Sequence, residues 1–363
     1  MLGPRSLVYS LGEAHYCGVV QRDAVASYSL RKAKTMDVAV VIPLYNGERF
    51  LAEMLRSVLD QRLPPAEVIV VDDGSRDGGP AIVAGFGNRV TLLSPGSNGG
   101  VQNARNIGIA HARSPWIALC DQDDLWDPGY LEHHARLLQA APETDFVFGN
   151  FRMLRDGVLD AVSKFDQAPP GFWDQAGRRI LPEGWVFDRS IAGQTILWHP
   201  IFPSGTLVSK ALLTAIGGFD TAMRGLRPED GEFTLRCLYR ARAAALPEPL
   251  VTIRRHDANF SRDLVRTLID EVTALHFIKR HHAEAAPYHA IIDSEIRKRR
   301  IQAFHGAFAQ RDHALARQVA QDLPWADRSP KLWLKRLCIA LPDRLGLPLN
   351  GGLQRAAEGR GHS

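Results

Sequence analysis

The residues best equipped for chemistry lie between Trp116 and Pro128, WIALCDQDDLWDP, where a short apolar run breaks into three carboxylates, Asp121, Asp123 and Asp124. Apolar or small residues from Trp116 to Cys120, bounded by a polar cluster, read as a buried strand. The acids then fall just past its C-terminal end, where open α/β sheets bind ligands. Extended alternation directs Asp121 and Asp123 to one side and Gln122 to the other. Two neighbouring carboxylates resist joint ionisation unless a cation lies between them. A hard divalent ion with oxygen ligands supplies that cation, and such ions bridge protein carboxylates to substrate phosphates. The plain alternative is an acidic, solvated strand end.

Three further groups invite a similar reading. Asp73, beside Gly74, leaves room for a flat base and can accept a hydrogen bond from its imide or amine N–H. Tyr45 can stack on a base or donate its hydroxyl. Arg105, in the first helical turn after Asn98-Gly99-Gly100, can pair with phosphate in a bidentate way, and the helix start adds backbone N–H groups. Each has a structural alternative. Asp72 and Asp73 can cap a turn, Arg105 can sit on a helix surface, and Tyr45 can be a core aromatic. Later in the chain, Glu229-Asp230 opens a helix containing Phe233, Leu235, Cys237 and Leu238, where acids also favour the helix dipole. His256 follows a strand-like run in VTIRRHDANFSRD.

The elements that must position these residues alternate strand with helix. Val38 to Pro43 is a continuous apolar, β-branched run of the kind buried on both faces of a parallel sheet. Glu48 to Gln61 reads as a helix through Leu51, Leu55, Val58 and Leu59. Strands are expected at Val68 to Val71, Val90 to Leu93, Trp116 to Cys120 and Phe146 to Phe148, with a helix after Gly100 and another from Tyr130 to Ala140. This rhythm predicts an α/β protein with a Rossmann-like, mostly parallel sheet flanked by helices. Right-handed crossovers place the strands' C-terminal ends on one edge, so Tyr45, Asp73 and Asp123 should converge there. Residues 151–205 break the rhythm. Their aromatics, including Trp173, Trp185, Trp198 and Phe202, suit either sugar stacking or a satellite hydrophobic cluster. Ser204 to Val208 reads as a strand, and Ser209 opens a short helix ending at Gly217-Gly218.

Composition sets the class. The 363 residues are 45% hydrophobic and 23% charged with a net charge of +4, ordinary for a globular protein and no argument for nucleic acid. The cysteines at 17, 120, 237 and 338 show no pairing or zinc spacing, as in a reducing compartment. No uninterrupted apolar run of about 18 residues suggests a membrane span. Residues 1–35 lack periodicity and are expected to be a weakly ordered extension, with Met36 an alternative start. From Leu264 the pattern is helical, with Leu264, Leu268, Val272 and Leu275 on one helix and Ile292, Ile296, Phe304 and Phe308 on a second. Basic clusters at Lys279 to His282, at Arg297 to Arg300 and at Lys335-Arg336 suit solvated helix faces or a peripheral contact with anionic lipid.

Together, VVIPLYNGERFLAEMLRSVLDQ, VIVVDDGSRD, SNGGVQNARNIGI and LCDQDDLWDP resemble the ordered motifs of family 2 glycosyltransferases, over about Asp37 to Asp263. The resemblance implies a GT-A fold and inverting transfer from a nucleotide-sugar, UDP- or GDP/dTDP-linked, to a glycan, lipid-linked or other hydroxyl acceptor. Such transfer belongs to cell-surface polysaccharide, lipopolysaccharide or glycolipid synthesis. It implies that Pro43, Tyr45 and Asp73 hold the base, that Asp121 lies near the ribose and that Arg105 lies near the diphosphate. Asp123 would be the metal-binding aspartate of a DxD motif, binding Mn2+ or Mg2+, with His256 close to the metal or diphosphate. Within Glu229-Asp230, Asp230 would be the catalytic base. The QxxRW motif of processive synthases is missing, which favours single addition. The implied organisation is an extension (1–35), a glycosyltransferase domain (36–263, divided into a nucleotide-sugar half, 36–150, and an acceptor half, 151–263), a helical region (264–345) and a tail (346–363). The expected location is cytoplasmic, with peripheral contact at the inner face of the plasma membrane. A non-catalytic nucleotide-sugar-binding protein and a nucleotidyltransferase are the alternatives.

Overall fold

The computed structural model describes residues 36–173, 177–180, 184–226, 229–256, 263–323 and 330–340. The expected N-terminal extension and C-terminal tail lie outside the described residues.

The chain begins with β1 (Val38–Leu44), α1 (Glu48–Leu59), β2 (Glu67–Asp72), α2 (Gly79–Ala84), β3 (Thr91–Leu93), α3 (Val101–His111) and β4 (Trp116–Leu119). Every residue of β1 is buried, as its apolar sequence demands. Period-two alternation divides β1 between two cores: Val38, Val40, Ile42 and Leu44 face one side of the sheet, and Ala39 and Val41 the other. Each such side chain contributes about 1.5–3 kcal/mol when fully buried. Pro43 fits this central strand because the ladder from β1 to β4 ends at Val41 and Leu119. The missing N–H therefore falls beyond the paired stretch. Helix α1 lays Leu51, Met54, Leu55 and Val58 against the sheet, the expected apolar stripe.

Next come β5 (Leu125–Trp126), α4 (Tyr130–Ala140), β6 (Phe146–Arg155), β7 (Val158–Leu159), β8 (Gly177–Ile180), β9 (Gly184–Phe187), α5 (Ala192–Leu197), β10 (Thr206–Ser209), α6 (Lys210–Ile216), α7 (Glu229–Arg240) and β11 (Ala243–Arg255). The sheet order is β3-β2-β1-β4-β10-β6-β11-β9-β8, with β5 and β7 paired beside it. The expected parallel arrangement holds for β3-β2-β1-β4 and for β6 with β11. Strand β10 runs antiparallel to both neighbours, β4 and β6. Strand β6 extends past the expected Phe146 to Phe148. Asn150 is tolerated inside it because its amide donates to Ser163 Oγ (2.9 Å) and the Pro247 carbonyl (2.8 Å). The Ser209 hydroxyl caps α6 by accepting from the Leu212 N–H, as its sequence position predicted.

The helical region comprises α8 (Leu264–His281), α9 (His289–Ala309), α10 (His313–Gln321) and α11 (Pro330–Ala340). Val272, Leu275 and Ile278 of α8 join Ile292 and Ile296 of α9 in the same core cluster as Ala39 and Val41. The helices are thus packed on the sheet. Phe304 and Phe308 centre a further cluster with Val265, Ala316 and Val319. Several residues of the basic clusters are engaged internally: Lys279 with Asp293 (2.5 Å), Arg299 with Glu271 (2.5 Å), and Arg300 with Asp322 (3.3 Å). Arg336 donates to the carbonyls of Ala320 (3.1 Å) and Leu323 (2.7 Å). Among the described residues, no helix is long and apolar enough to cross a membrane.

Candidate active site

The turns after β1, β2 and β4 are stitched together by short polar side chains. The Tyr45 N–H donates to Gln122 Oε1 (2.8 Å), and Gln122 Nε2 donates back to the Tyr45 carbonyl (3.1 Å). A Cβ on Gly47 would lie 2.5 Å from that Gln122 oxygen, so any larger residue there would push the Gln122 amide aside. The Asn46 N–H donates to Ser75 Oγ (3.0 Å), and the Asn46 side chain accepts from the Arg76 N–H (2.8 Å). Tyr45 itself stands 47% exposed at this edge, available to a ligand rather than packed in the core.

Asp73 is buried, and its two oxygens accept from Gly99 N–H (2.7 Å) and Gly100 N–H (2.8 Å). The carboxylate thereby holds the loop that opens α3. Gly100 has φ +91°, in the region that favours glycine. Of the expected base-binding residues, the structure leaves Tyr45 at the surface and uses Asp73 to shape the adjoining loop. Pro43 lies buried within β1.

The acids after β4 turn instead of continuing an extended strand, and each has a different environment. Asp124 is sequestered: its oxygens accept from Ser204 Oγ (2.5 Å) and the Arg254 N–H (3.0 Å). Burial and the charges of Asp123 and Asp121 push its pKa well up. Asp121 accepts from Arg105 Nη2 at 2.7 Å. Asp123 Oδ2 stands 2.8 Å from His256 Nε2, so the two candidate metal ligands meet, although 133 positions separate them in sequence. Burial, then the Asp121 charge, raises the Asp123 pKa against the pull of His256. Phe50 supports this corner, with its ring 4.8 Å from that of His256 and the Arg254 guanidinium 4.5 Å from its centre.

Arg105 is 2% exposed and is therefore no surface helix residue. It spans Asp121 and Glu229, with Nη1 3.4 Å from Glu229 Oε1, and its guanidinium lies 5.0 Å from the Phe219 ring. Glu229 and Asp230 begin α7. Burial, then the neighbouring Asp230 charge, raises the Glu229 pKa to about 8, with Arg105 opposing. Burial raises that of Asp230 to about 6, opposed by Arg105 and by a hydrogen bond from the Gly231 N–H, which is 2.9 Å away. Both carboxyls are thus harder to ionise than free ones, and Asp230 is the more readily ionised of the two.

Both acids border a cavity of about 370 Å³ that also reaches Asp121, Asp123 and Asp124 and runs under α8. The expected aromatic residues resolve differently. Trp173 stacks on Trp185 (4.7 Å) and packs edge-on against Phe172, which in turn meets Trp198 edge-on. They form an intramolecular cluster, and Phe202 is the one of the four that lines the cavity. Gln122 and Ser204 were not singled out as site residues from sequence. Their signal was weak, since a glutamine between aspartates and a serine at a strand start reveal nothing of partners distant in sequence.

A divalent ion suits the Asp123–His256 corner. Asp123 Oδ2 and His256 Nε2 are hydrogen-bonded to each other at 2.8 Å, and a carboxylate and an imidazole are both donor types that divalent ions accept. Among the described residues, no group of three or more His, Cys, Asp or Glu residues could enclose a metal by itself. An ion there would need further oxygens from a ligand, as divalent ions at phosphate sites usually do.

This arrangement, with a parallel half-sheet carrying its polar residues at the C-terminal edge, has known counterparts. Residues 39–183 match the family model of glycosyl transferase family 2. Glycosyltransferase GlyG of Streptococcus pneumoniae is 34% identical over 117 residues, which cover 31% of this chain and 38% of the relative. The chain thus spans little more than a third of that relative's length. In fold it is similar to S. aureus TarS, solved with UDP-GlcNAc (TM-score 0.57, 18% identity, 89% of this chain and 82% of TarS). It is also similar to the mannosyltransferase PcManGT of Pyrobaculum calidifontis, solved with GDP-Man and Mn2+ (TM-score 0.55, 19% identity, 90% of this chain and 80% of the other). The expected GT-A type of fold is the one these structures share.

Proposed function

We propose that this chain transfers a sugar from a nucleotide-sugar to an acceptor hydroxyl with inversion at the anomeric carbon. The observation that carries this reading is the position of Asp230 on a cavity that Asp123, the partner of His256, also lines. Asp230 takes the acceptor's hydroxyl proton as the oxygen attacks the anomeric carbon from the face opposite the leaving group. The bond to the diphosphate oxygen breaks, and the nucleoside diphosphate departs with the electron pair. Glu229, the harder of the two acids to ionise, sits beside the base, and Arg105 orients Glu229 and Asp121 relative to each other. Mn2+ or Mg2+ held by Asp123 and His256 would offset the negative charge on the diphosphate. Tyr45 would stack on the base, above the loop fixed by Asp73.

A UDP- or GDP-linked donor draws support from the ligands of TarS and PcManGT. The acceptor would be a glycan or lipid-linked hydroxyl of a surface polysaccharide, lipopolysaccharide or glycolipid. Peripheral membrane contact has less support, because Lys279, Arg299 and Arg300 already have carboxylate partners. We take residues 36–263 as the catalytic unit and the following helices as a wall of its acceptor side. Product analysis tests the reaction. Nucleoside diphosphate released from UDP-GlcNAc or GDP-mannose is the expected product, and pyrophosphate would instead indicate nucleotidyl transfer.

A further inference from the structure

We propose that the cavity under α8 seats the acceptor as an uncharged, hydroxylated ring with an apolar face, and that Thr195 and His199 recognise its hydroxyls. The inference rests on the glycosyltransferase reading above and assigns a substrate class to the same cavity. Its volume of about 370 Å³ lies within the usual range for ligand pockets.

Three features define the occupant. One wall is aliphatic, built from Ile196, Leu235, Leu275 and Ile278, and so suits the C–H face of a sugar ring or an attached apolar group. Leu275 and Ile278 belong to α8, beyond the residues matched by the family model. The C-terminal helical region therefore supplies two of the four residues of this wall. Set into the cavity lining are two buried polar atoms, Thr195 Oγ1 and His199 Nε2, that have no hydrogen-bond partner among the described residues. Thr195 is 1% exposed, and leaving such an atom unsatisfied costs about 1–3 kcal/mol, so a ligand hydroxyl would gain by meeting it.

Charge excludes an anionic ring. Burial pushes the His199 pKa down to about 4, helped by Lys164 and Arg299 and opposed by Glu271, so the imidazole is neutral at pH 7. Of the arginines that line the cavity, Arg299 is already paired with Glu271 and Glu295 and Arg254 with Glu53, while Arg255 lies over the Phe202 ring. Asp121, Asp123 and Asp230 line the route to the reacting end, where a carboxylate or phosphate on the acceptor would meet like charge.

The test is saturation-transfer NMR with a panel of p-nitrophenyl hexopyranosides and p-nitrophenyl glucuronide, with UDP and GDP affinity measured alongside. At least one neutral glycoside should bind the wild type, and the glucuronide should not. Thr195→Val removes the hydroxyl with little change in shape and should weaken that binding roughly three- to tenfold. Ala274→Phe, which fills the cavity from α8, should abolish it. Nucleotide affinity should stay unchanged in both variants, which also verifies their folding. The proposal is overturned if no neutral glycoside binds, if binding survives both substitutions, or if the glucuronide binds equally well. Failure of the wild type to bind any nucleotide is a distinct result that removes the glycosyltransferase reading itself.

Discussion

Asp230→Asn is the substitution that most directly tests the proposed chemistry. General-base catalysis contributes about 10² to 10⁴ in rate, or roughly 3–5.5 kcal/mol at 1.36 kcal/mol per decade, and kcat should fall by that factor. The fold should survive, because the asparagine oxygen can still accept from the Gly231 N–H, now 2.9 Å from Asp230 Oδ1. Nucleotide affinity should remain within about twofold of wild type, since the base acts on the acceptor. The pH profile supplies a second readout. Asp230 works only when unprotonated, and burial has raised its pKa to about 6. Wild-type kcat/KM should therefore climb with pH through about 6 and then level off, and this inflection should vanish in the variant. Glu229, raised to about 8, is the harder of the two to ionise, so Glu229→Gln should lose less than about tenfold in kcat. The assay is release of nucleoside diphosphate as a function of pH, with melting temperature and nucleotide affinity recorded on each protein. Near-normal turnover of Asp230→Asn with the inflection intact would refute the assignment and move the base elsewhere.

Three other substitutions separate the roles of neighbouring residues. Asp123→Asn should remove the Mn2+-dependent part of nucleotide affinity; calorimetry that finds equal affinity with and without Mn2+ in the wild type would exclude the metal role. Asp124→Ala strands the Ser204 hydroxyl and the Arg254 N–H, each worth about 1–3 kcal/mol when buried without a partner. Its melting temperature should drop by several degrees, and an unchanged value would contradict the structural role. Gln122→Ala breaks both bonds to the Tyr45 backbone and should raise the donor KM several-fold with kcat little altered, measured by steady-state kinetics.

The strand–helix rhythm was readable because β1, β2 and β4 are apolar on both faces, a pattern that few other elements share. Tyr130–Ala140 and the Ser209 cap were legible for a similar local reason: proline, serine and glycine mark where helices begin and end. The antiparallel β10 was not, because strand direction depends on pairing partners that periodicity does not encode. The length of β6 was hidden by Asn150, whose polar side chain is satisfied by Ser163 and Pro247 far along the chain. Within the site, sequence located the three aspartates but could not separate them. Their difference comes from Ser204, Arg105 and His256, each brought from a distant segment. The tryptophans of residues 151–205 left two readings open, and their mutual stacking favours the hydrophobic cluster.

Arg105 shows how far an electrostatic role can depart from what residue type suggests. A guanidinium after a glycine-rich turn is well suited to phosphate, yet this one is buried and spans two carboxylates, Asp121 from the end of β4 and Glu229 from the start of α7. Removing it would leave the half-buried Asp121 carboxylate without its cation and Glu229 without its hydrogen-bond donor. It would also withdraw the positive charge that opposes the rise in the Asp230 pKa. That pKa must then move farther up, and the fraction of unprotonated base at pH 7 must fall. One cation thus ties the donor edge of the sheet to the helix that carries the base, fixing both their spacing and the protonation state on which transfer depends.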